Sequence, residues 1–259
     1  MTPVSVENIT VKFDNIIVLD HLSVDLQSGE IVGLIGPSGA GKSTFINALL
    51  GMQKLDTGSV KIFGQTIPNR EILEKIGFTG QSDALFTELT GQQNLDFFGA
   101  LQGISKKELK EKSAKATKTV NLTADLNKPL SAYSGGMKRR LSLAIALQTN
   151  APLVLLDEPT VGIDPELRRD IWAELRKQAA SNKAILITTH VMDEAEKCDK
   201  VLLLRDGHFV AQGSPAEIKA KYGVATIEEA FIKAGSAQLS ESSGAENKTS
   251  QEDAKEVSR

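Results

Sequence analysis

Residues Ile31–Leu50 read I-V-G-L-I-G-P-S-G-A-G-K-S-T-F-I-N-A-L-L, and they leave the chain little choice of fold. The apolar run Ile31–Ile35 predicts a buried strand that stops at Gly36. Beyond a glycine-rich turn, Phe45, Ile46, Leu49 and Leu50 recur at helical spacing. Between strand and helix lies Gly36-x-x-x-x-Gly41-Lys42-Ser43, the phosphate-binding loop pattern. Glycines let backbone N–H groups turn inward and approach a phosphate with no Cβ in the way. The N-terminus of the following helix adds unsatisfied N–H groups and a partial positive charge. Lys42 is expected to reach the β- and γ-phosphates of a nucleotide, and Ser43 to offer its hydroxyl to Mg²⁺.

Composition narrows the setting. The chain has 259 residues, 41% hydrophobic and 24% charged, an ordinary globular balance. A net charge of -3 argues against nucleic acid as a partner held by bulk electrostatics. The single cysteine, Cys198, excludes an internal disulfide and suits a reducing cytosol. No apolar stretch approaches the ~20 residues needed to span a bilayer, and the N-terminus lacks the pattern of a signal peptide. The expectation is a cytosolic chain; any membrane part must come from another polypeptide.

Apolar–polar alternation over Val4–Val11 and Leu22–Leu26 predicts half-buried antiparallel strands, with Phe13 in the turn region between them. From about residue 83 to 150 helical patterns take over, at Thr90–Ile104, Lys106–Val120 and Gly136–Thr149. The α/β pattern then returns: strand Leu153–Leu156, helix Glu166–Ala180, strand Ala184–Thr188, a short helix Met192–Lys197 and strand Val201–Leu204. Asp206-Gly207 marks a hairpin into Phe209–Ala211, and a last helix is expected around Ile227–Ala234. Residues 1–234 thus read as one α/β domain with an all-helical insertion. Residues 235–259 are polar and lack aromatics, so they read as a disordered tail.

Two further stretches carry chemistry. Leu153–Glu158 is an apolar strand ending in two carboxylates, as a phosphate-loop ATPase requires. Asp157 would orient Mg²⁺ through its water shell, and Glu158 would accept a proton from the attacking water. Ser134-Gly135-Gly136-Met137-Lys138 opens a helix, with Ser134 at the N-cap. Ordinary capping explains that stretch, but its hydroxyl and bare glycine N–H groups also make a second anion site. Two phosphate-facing helix ends suggest a dimer with nucleotide held between its halves.

In this motif order, over roughly Val4–Ala234, the chain resembles the nucleotide-binding subunit of an ABC transporter. The resemblance implies a P-loop NTPase core with an N-terminal antiparallel β-subdomain and an all-helical insertion. It matches Phe13 to the aromatic that stacks on adenine, and Gly36, Pro37, Ser38, Gly39, Ala40, Gly41, Lys42, Ser43 and Thr44 to the Walker A loop. Gln81 matches the Q-loop glutamine, which touches Mg²⁺ and hinges the insertion. Ser134–Lys138 matches the signature, Leu153–Glu158 Walker B, Val161-Gly162-Ile163-Asp164 the D-loop and His190 the switch histidine. ATP and Mg²⁺ are the implied ligands. The implied partners are a second ATPase subunit, identical or paired, and a membrane permease that would hold the chain peripherally at the cytoplasmic face of the membrane. Two departures stand out: Tyr133 and Met137 replace the usual Leu and Gln, and the D-loop reads V-G-I-D rather than S-A-L-D. These are similar to single-domain exporter subunits for drugs, antibiotics, polysaccharides or sodium. The alternatives are a non-transport ATPase of translation or DNA repair, and a module that holds ATP without hydrolysing it. The single P-loop and absence of a heptad run weigh against the first; intact Asp157, Glu158 and His190 weigh against the second.

Overall fold

The computed structural model describes residues 2–80 and 84–236. Strands β1 (Val4–Phe13) and β2 (Ile16–Leu26) form an antiparallel hairpin in which Phe13 pairs with Ile16. Asp14 and Asn15 both take positive φ, as a two-residue hairpin turn of this hand requires and as Asp and Asn tolerate. Phe13 is therefore the last residue of a strand rather than part of a turn, and β2 begins six residues earlier than alternation alone predicts.

Strand β3 (Ile31–Ile35) is wholly buried and delivers the chain to the loop before helix α1 (Lys42–Leu49). Strands β4 (Thr57–Ile62) and β5 (Gln65–Thr66) complete a four-stranded sheet in the order β2-β1-β4-β5. Strand β6 (Ile76–Thr79) belongs to the other sheet. Helices α2 (Gly91–Leu101), α3 (Lys106–Thr119) and α4 (Gly135–Leu147) follow. Then come β7 (Leu153–Asp157), α5 (Pro165–Ala180), β8 (Ala184–Thr189), a 3-10 turn at Met192–Lys197, β9 (Lys200–Arg205) and β10 (His208–Gly213). Helix α6 (Pro215–Tyr222) is additional to the sequence expectation. The last described helix, 227–236, runs past the expected boundary at Ala234; the rest of the expected tail, from residue 237, lies outside the described residues.

The second sheet has the order β10-β9-β3-β8-β7-β6. Its strands are parallel except at the β9–β10 hairpin. Side chains of β3 alternate between two cores, as the two-residue period of a strand demands. Val32 and Leu34 face the antiparallel sheet and α1, with Phe45 fully buried. Ile31 and Ile35 face the helical side, where Leu141, Ile145, Ile171 and Leu175 pack. Each such side chain contributes roughly 1.5–3 kcal/mol by leaving water. Since β3, β7 and β8 run parallel, with Ile35 opposite Thr189 and Asp157 opposite Thr188, their C-terminal ends open on one crevice. That edge is where ligands bind in open α/β sheets.

A methyl group at Gly36 would lie 2.2 Å from the Leu204 carbonyl oxygen, a backbone atom that cannot swing aside. Gly36→Ala should cost about 1–3 kcal/mol of stability, measured by denaturant unfolding, whereas Gly39→Ala meets no heavy atom within 4 Å and pays only for its positive φ. Lys183, ahead of β8, donates to the carbonyl of Thr149 (2.7 Å) and to Gln178 Oε1 (3.1 Å). Burial pushes its ammonium down from 10.5 to about 8. Between those values the unfolded chain binds the extra proton, so stability rises with pH across that window. Unfolding free energies of wild type and Lys183→Met should therefore move in favour of wild type between about pH 8 and 10.5, and stay parallel below it.

Candidate nucleotide site

The loop after β3 wraps a cavity of about 360 Å³ bordered by Ser38, Gly39, Gly41–Thr44, Val18 and Glu158. Lys42 is buried, and its ammonium donates to the carbonyls of Gly36 (2.8 Å) and Pro37 (3.0 Å). It also stands 3.6 Å from Glu158 Oε1. That same carboxylate oxygen lies 3.2 Å from Nδ1 of His190. The structure thus gathers Lys42, Glu158 and His190 at the mouth of the phosphate loop, from α1, the end of β7 and the end of β8.

Glu158 has a φ of 52°, an uncommon conformation for a residue with a long side chain. Its N–H donates to the Thr188 carbonyl (3.1 Å) and hydroxyl (2.9 Å). The Thr188 hydroxyl in turn donates to Asp157 Oδ1. One β8 threonine therefore holds the Asp157 carboxylate and the Glu158 backbone at the end of β7. Asp157 is buried and shares a second cavity, of about 510 Å³, with Ser43 and Gly80. Gln81 lies outside the described residues.

The family model described as "ABC transporter" matches residues 19–161, more than half the chain. The chain belongs to the ABC transporter family. Among relatives of this ABC protein, the Nod factor export ATP-binding protein I of Sinorhizobium fredii is 38% identical over 229 residues, covering 87% of this chain and 67% of the relative. The protein of the same name from Burkholderia lata is 37% identical, covering 88% and 76%. A solved ATP-binding subunit of an ABC transporter superposes with a TM-score of 0.85 at 26% identity, covering 90% of this chain and all of that one. An ATP-binding cassette solved as a dimer in a post-hydrolysis state with ADP and Pi gives a TM-score of 0.74 at 27% identity, covering 82% and 98%. The chain is the ATP-binding, ATP-hydrolysing cassette of such a transporter. Among the described residues no helix is long and apolar enough to cross a membrane.

The segment expected to be the signature, Ser134–Lys138, does not border this cleft. Ser134 caps α4, its hydroxyl accepting the Met137 N–H at 3.3 Å. Gly135 and Gly136 are exposed, and a Cβ on either would meet no heavy atom within 4 Å. None of the three borders the loop cavity of its own chain. Phe13 is 46% exposed at the tip of the β1–β2 hairpin, on the strand pair whose Val18 lines that cavity. Asp164 caps α5, accepting the Leu167 N–H at 2.9 Å, with Pro165 in the first turn.

The substitution of Tyr133 for the usual Leu has a local reason. Its hydroxyl donates to the Asp125 carbonyl at 2.9 Å and sits where a Cβ at residue 91 would be, so Gly91 makes room for it. Burial raises its phenol pKa.

Arg139 is the site residue that motif reading misses. From α4 its guanidinium donates to the carbonyls of Gly80 (2.9 Å), Asp157 (2.6 Å) and Glu158. It ties α4 to the end of β7 and to Gly80, just after β6. Sequence shows an arginine three residues beyond Gly136; nothing local says that it reaches three distant carbonyls.

Proposed function

We propose that the chain is the ATPase subunit of an ABC exporter, pairing with a second ATPase subunit around two ATP and driving a separate membrane permease. Residues 1–234 form the cassette, with the insertion at about 83–150, and residues 235–259 a polar tail. The observation that carries the reading is the open Ser134–Gly136 helix start, where a Cβ on either glycine would meet no heavy atom within 4 Å and no residue borders the loop cavity of its own chain. An anion site so exposed suits the phosphate of a nucleotide held by a partner.

In this mechanism Phe13 stacks on adenine and the loop Gly36–Thr44 cradles the phosphates. Lys42 transfers its charge from Glu158 and the loop carbonyls to the β- and γ-phosphates. Ser43 and Asp157 border one cavity, and a hydroxyl with a carboxylate is the hard-oxygen pair that Mg²⁺ takes alongside phosphate oxygens. Bound there with Gln81, that ion supplies neutralising charge. Glu158 accepts a proton from the water that attacks the γ-phosphorus, and His190, already beside Glu158 Oε1, orients both. Ser134, Gly135 and Gly136 of the partner cover the γ-phosphate. ATP touches both halves only in the closed dimer, which supplies the differential affinity that closure needs.

The relatives named for Nod factor export and the V-G-I-D loop support export over import. The permease seat is an aromatic surface on the insertion. Phe86 and Phe97 pack edge to face at 4.7 Å, with Phe98 5.3 Å from Phe97. Asn94 clamps Phe86 through both its N–H and carbonyl. The nearby Leu101, also on α2, is 70% exposed. Phe97→Glu should leave the ATPase rate of the isolated chain within about twofold, because Phe97 itself borders neither cavity of the nucleotide site. The same change should abolish co-purification with the membrane complex; undiminished co-purification would remove this surface from the role.

A further inference from the structure

A buried polar cluster behind the site links two loops that the mechanism treats separately. Glu194 follows His190 by one turn and is only 1% exposed. Its Oε1 accepts from the Thr160 hydroxyl (2.5 Å) and from the Trp172 indole (3.3 Å). Thr160 is itself buried, two residues past Glu158, and its carbonyl accepts the Ile163 N–H at 3.2 Å. Arg168 of α5 donates to the Ile163 carbonyl (3.1 Å) while its Nε stands 4.0 Å from Glu194 Oε1. The Glu194 N–H donates to the Val191 carbonyl at 3.1 Å, closing the turn that starts at His190.

We infer that Glu194 is a positioning residue: through Thr160 it locks the segment after Glu158 to the turn after His190, so that base and histidine keep one geometry. The inference deepens the proposed mechanism and rests on its assignment of Glu158 and His190. Three things support it. Each end of the Thr160–Glu194 bond lies within four residues of a reacting side chain, so a shift at either end is passed on through a short stretch of chain. The bond joins groups 34 residues apart in sequence, and backbone pairing between β7 and β8 ends at Asp157 and Thr188, before either loop. The cluster also carries slack, since Glu194 Oε2 and Arg168 Nε are buried with no hydrogen-bond partner among the described residues. Burying such groups unpaired is unfavourable. A cluster serving stability alone would be expected to close that gap.

The test uses steady-state ATPase kinetics on the full chain. Thr160→Val removes the hydroxyl at nearly constant volume. It should lower kcat roughly tenfold, within the range expected when a reacting group is displaced by a fraction of an ångström, and leave KM for ATP within about twofold. Thr160→Ser should restore kcat to within about twofold. Trp172→Phe removes the α5 donor without breaking the loop-to-turn link, so it should lower the melting temperature yet keep kcat within about twofold. In Thr160→Val/Glu194→Ala the kcat loss should be no larger than that of the worse single variant, because both remove one contact. The inference is overturned by a Thr160→Val rate within twofold of wild type, by failure of Thr160→Ser to rescue, by an equal kcat loss in Trp172→Phe, or by multiplicative losses in the double variant. If Glu194→Ala does not fold, the Thr160 pair and Trp172→Phe decide alone. Failure of the underlying assignment reads differently: Glu158→Gln and His190→Ala would then keep their turnover, whatever Thr160→Val does.

Discussion

Glu158→Gln should bind ATP at least as tightly as wild type and hydrolyse it at least ~10²-fold more slowly, the scale of losing a general base. The amide keeps the volume and a hydrogen-bond acceptor toward His190, which lies 3.2 Å from the native carboxylate, but it cannot take a proton from water. Removal of a negative charge 3.6 Å from Lys42 also frees the ammonium for the phosphates, so affinity for ATP should rise rather than fall. The backbone should not move. Glu158 is held by its own N–H on Thr188 and by its carbonyl on Arg139, and neither contact involves the carboxylate. Single-turnover hydrolysis together with equilibrium binding of a fluorescent ATP analogue separates the two effects. A rate within a few-fold of wild type would take Glu158 out of the role.

The second large effect is expected at a residue with open space where a side chain would stand. Gly136→Val places a branched side chain where the isolated chain has open space, on the first turn of α4. The intrinsic helix cost of Val relative to Gly is small or favourable, so the melting temperature should stay within a few degrees. ATP binding to the loop of the same chain should also be unchanged, because Gly136 does not border that cavity. Hydrolysis should nevertheless fall by ~10²-fold, since the side chain would occupy the approach to the partner's γ-phosphate and remove the charge stabilisation supplied there. Mixing Gly136→Val with Glu158→Gln sharpens the point. One of the two composite sites in the mixed dimer carries an intact Glu158 and an intact signature, so activity should return on mixing two inactive proteins.

The parts of this molecule legible from sequence are those set by local rules. The strand–turn–helix at Ile31–Leu50, the Asp164-Pro165 start of α5 and the Ser134 cap each depend on residues within a few positions of one another. Helix α6 was equally open to local reading, for Ser214 and Glu217 form a reciprocal capping box around Pro215. Strand β6 was not: its four residues include Gly77, which meets the Thr149 side chain, and so short a run shows no period. Phe13 was displaced from turn to strand because the turn needs only Asp14 and Asn15. The least legible part is what holds the site together. Arg139 reaches carbonyls as far as 59 residues away, and Thr160 meets Glu194 across 34; such bonds are fixed by the packing of α4, β7 and α5, and no local pattern announces them.

The claim on which everything else depends is that the nucleotide cleft is one half of a site completed by a second subunit. Sedimentation of the purified Glu158→Gln chain, with and without saturating Mg-ATP, tests it most directly. A monomer is expected without nucleotide and a dimer holding two ATP with it, returning to monomer when Gly136→Val is added to the same chain. A monomer carrying one tightly bound ATP at every protein concentration would contradict it.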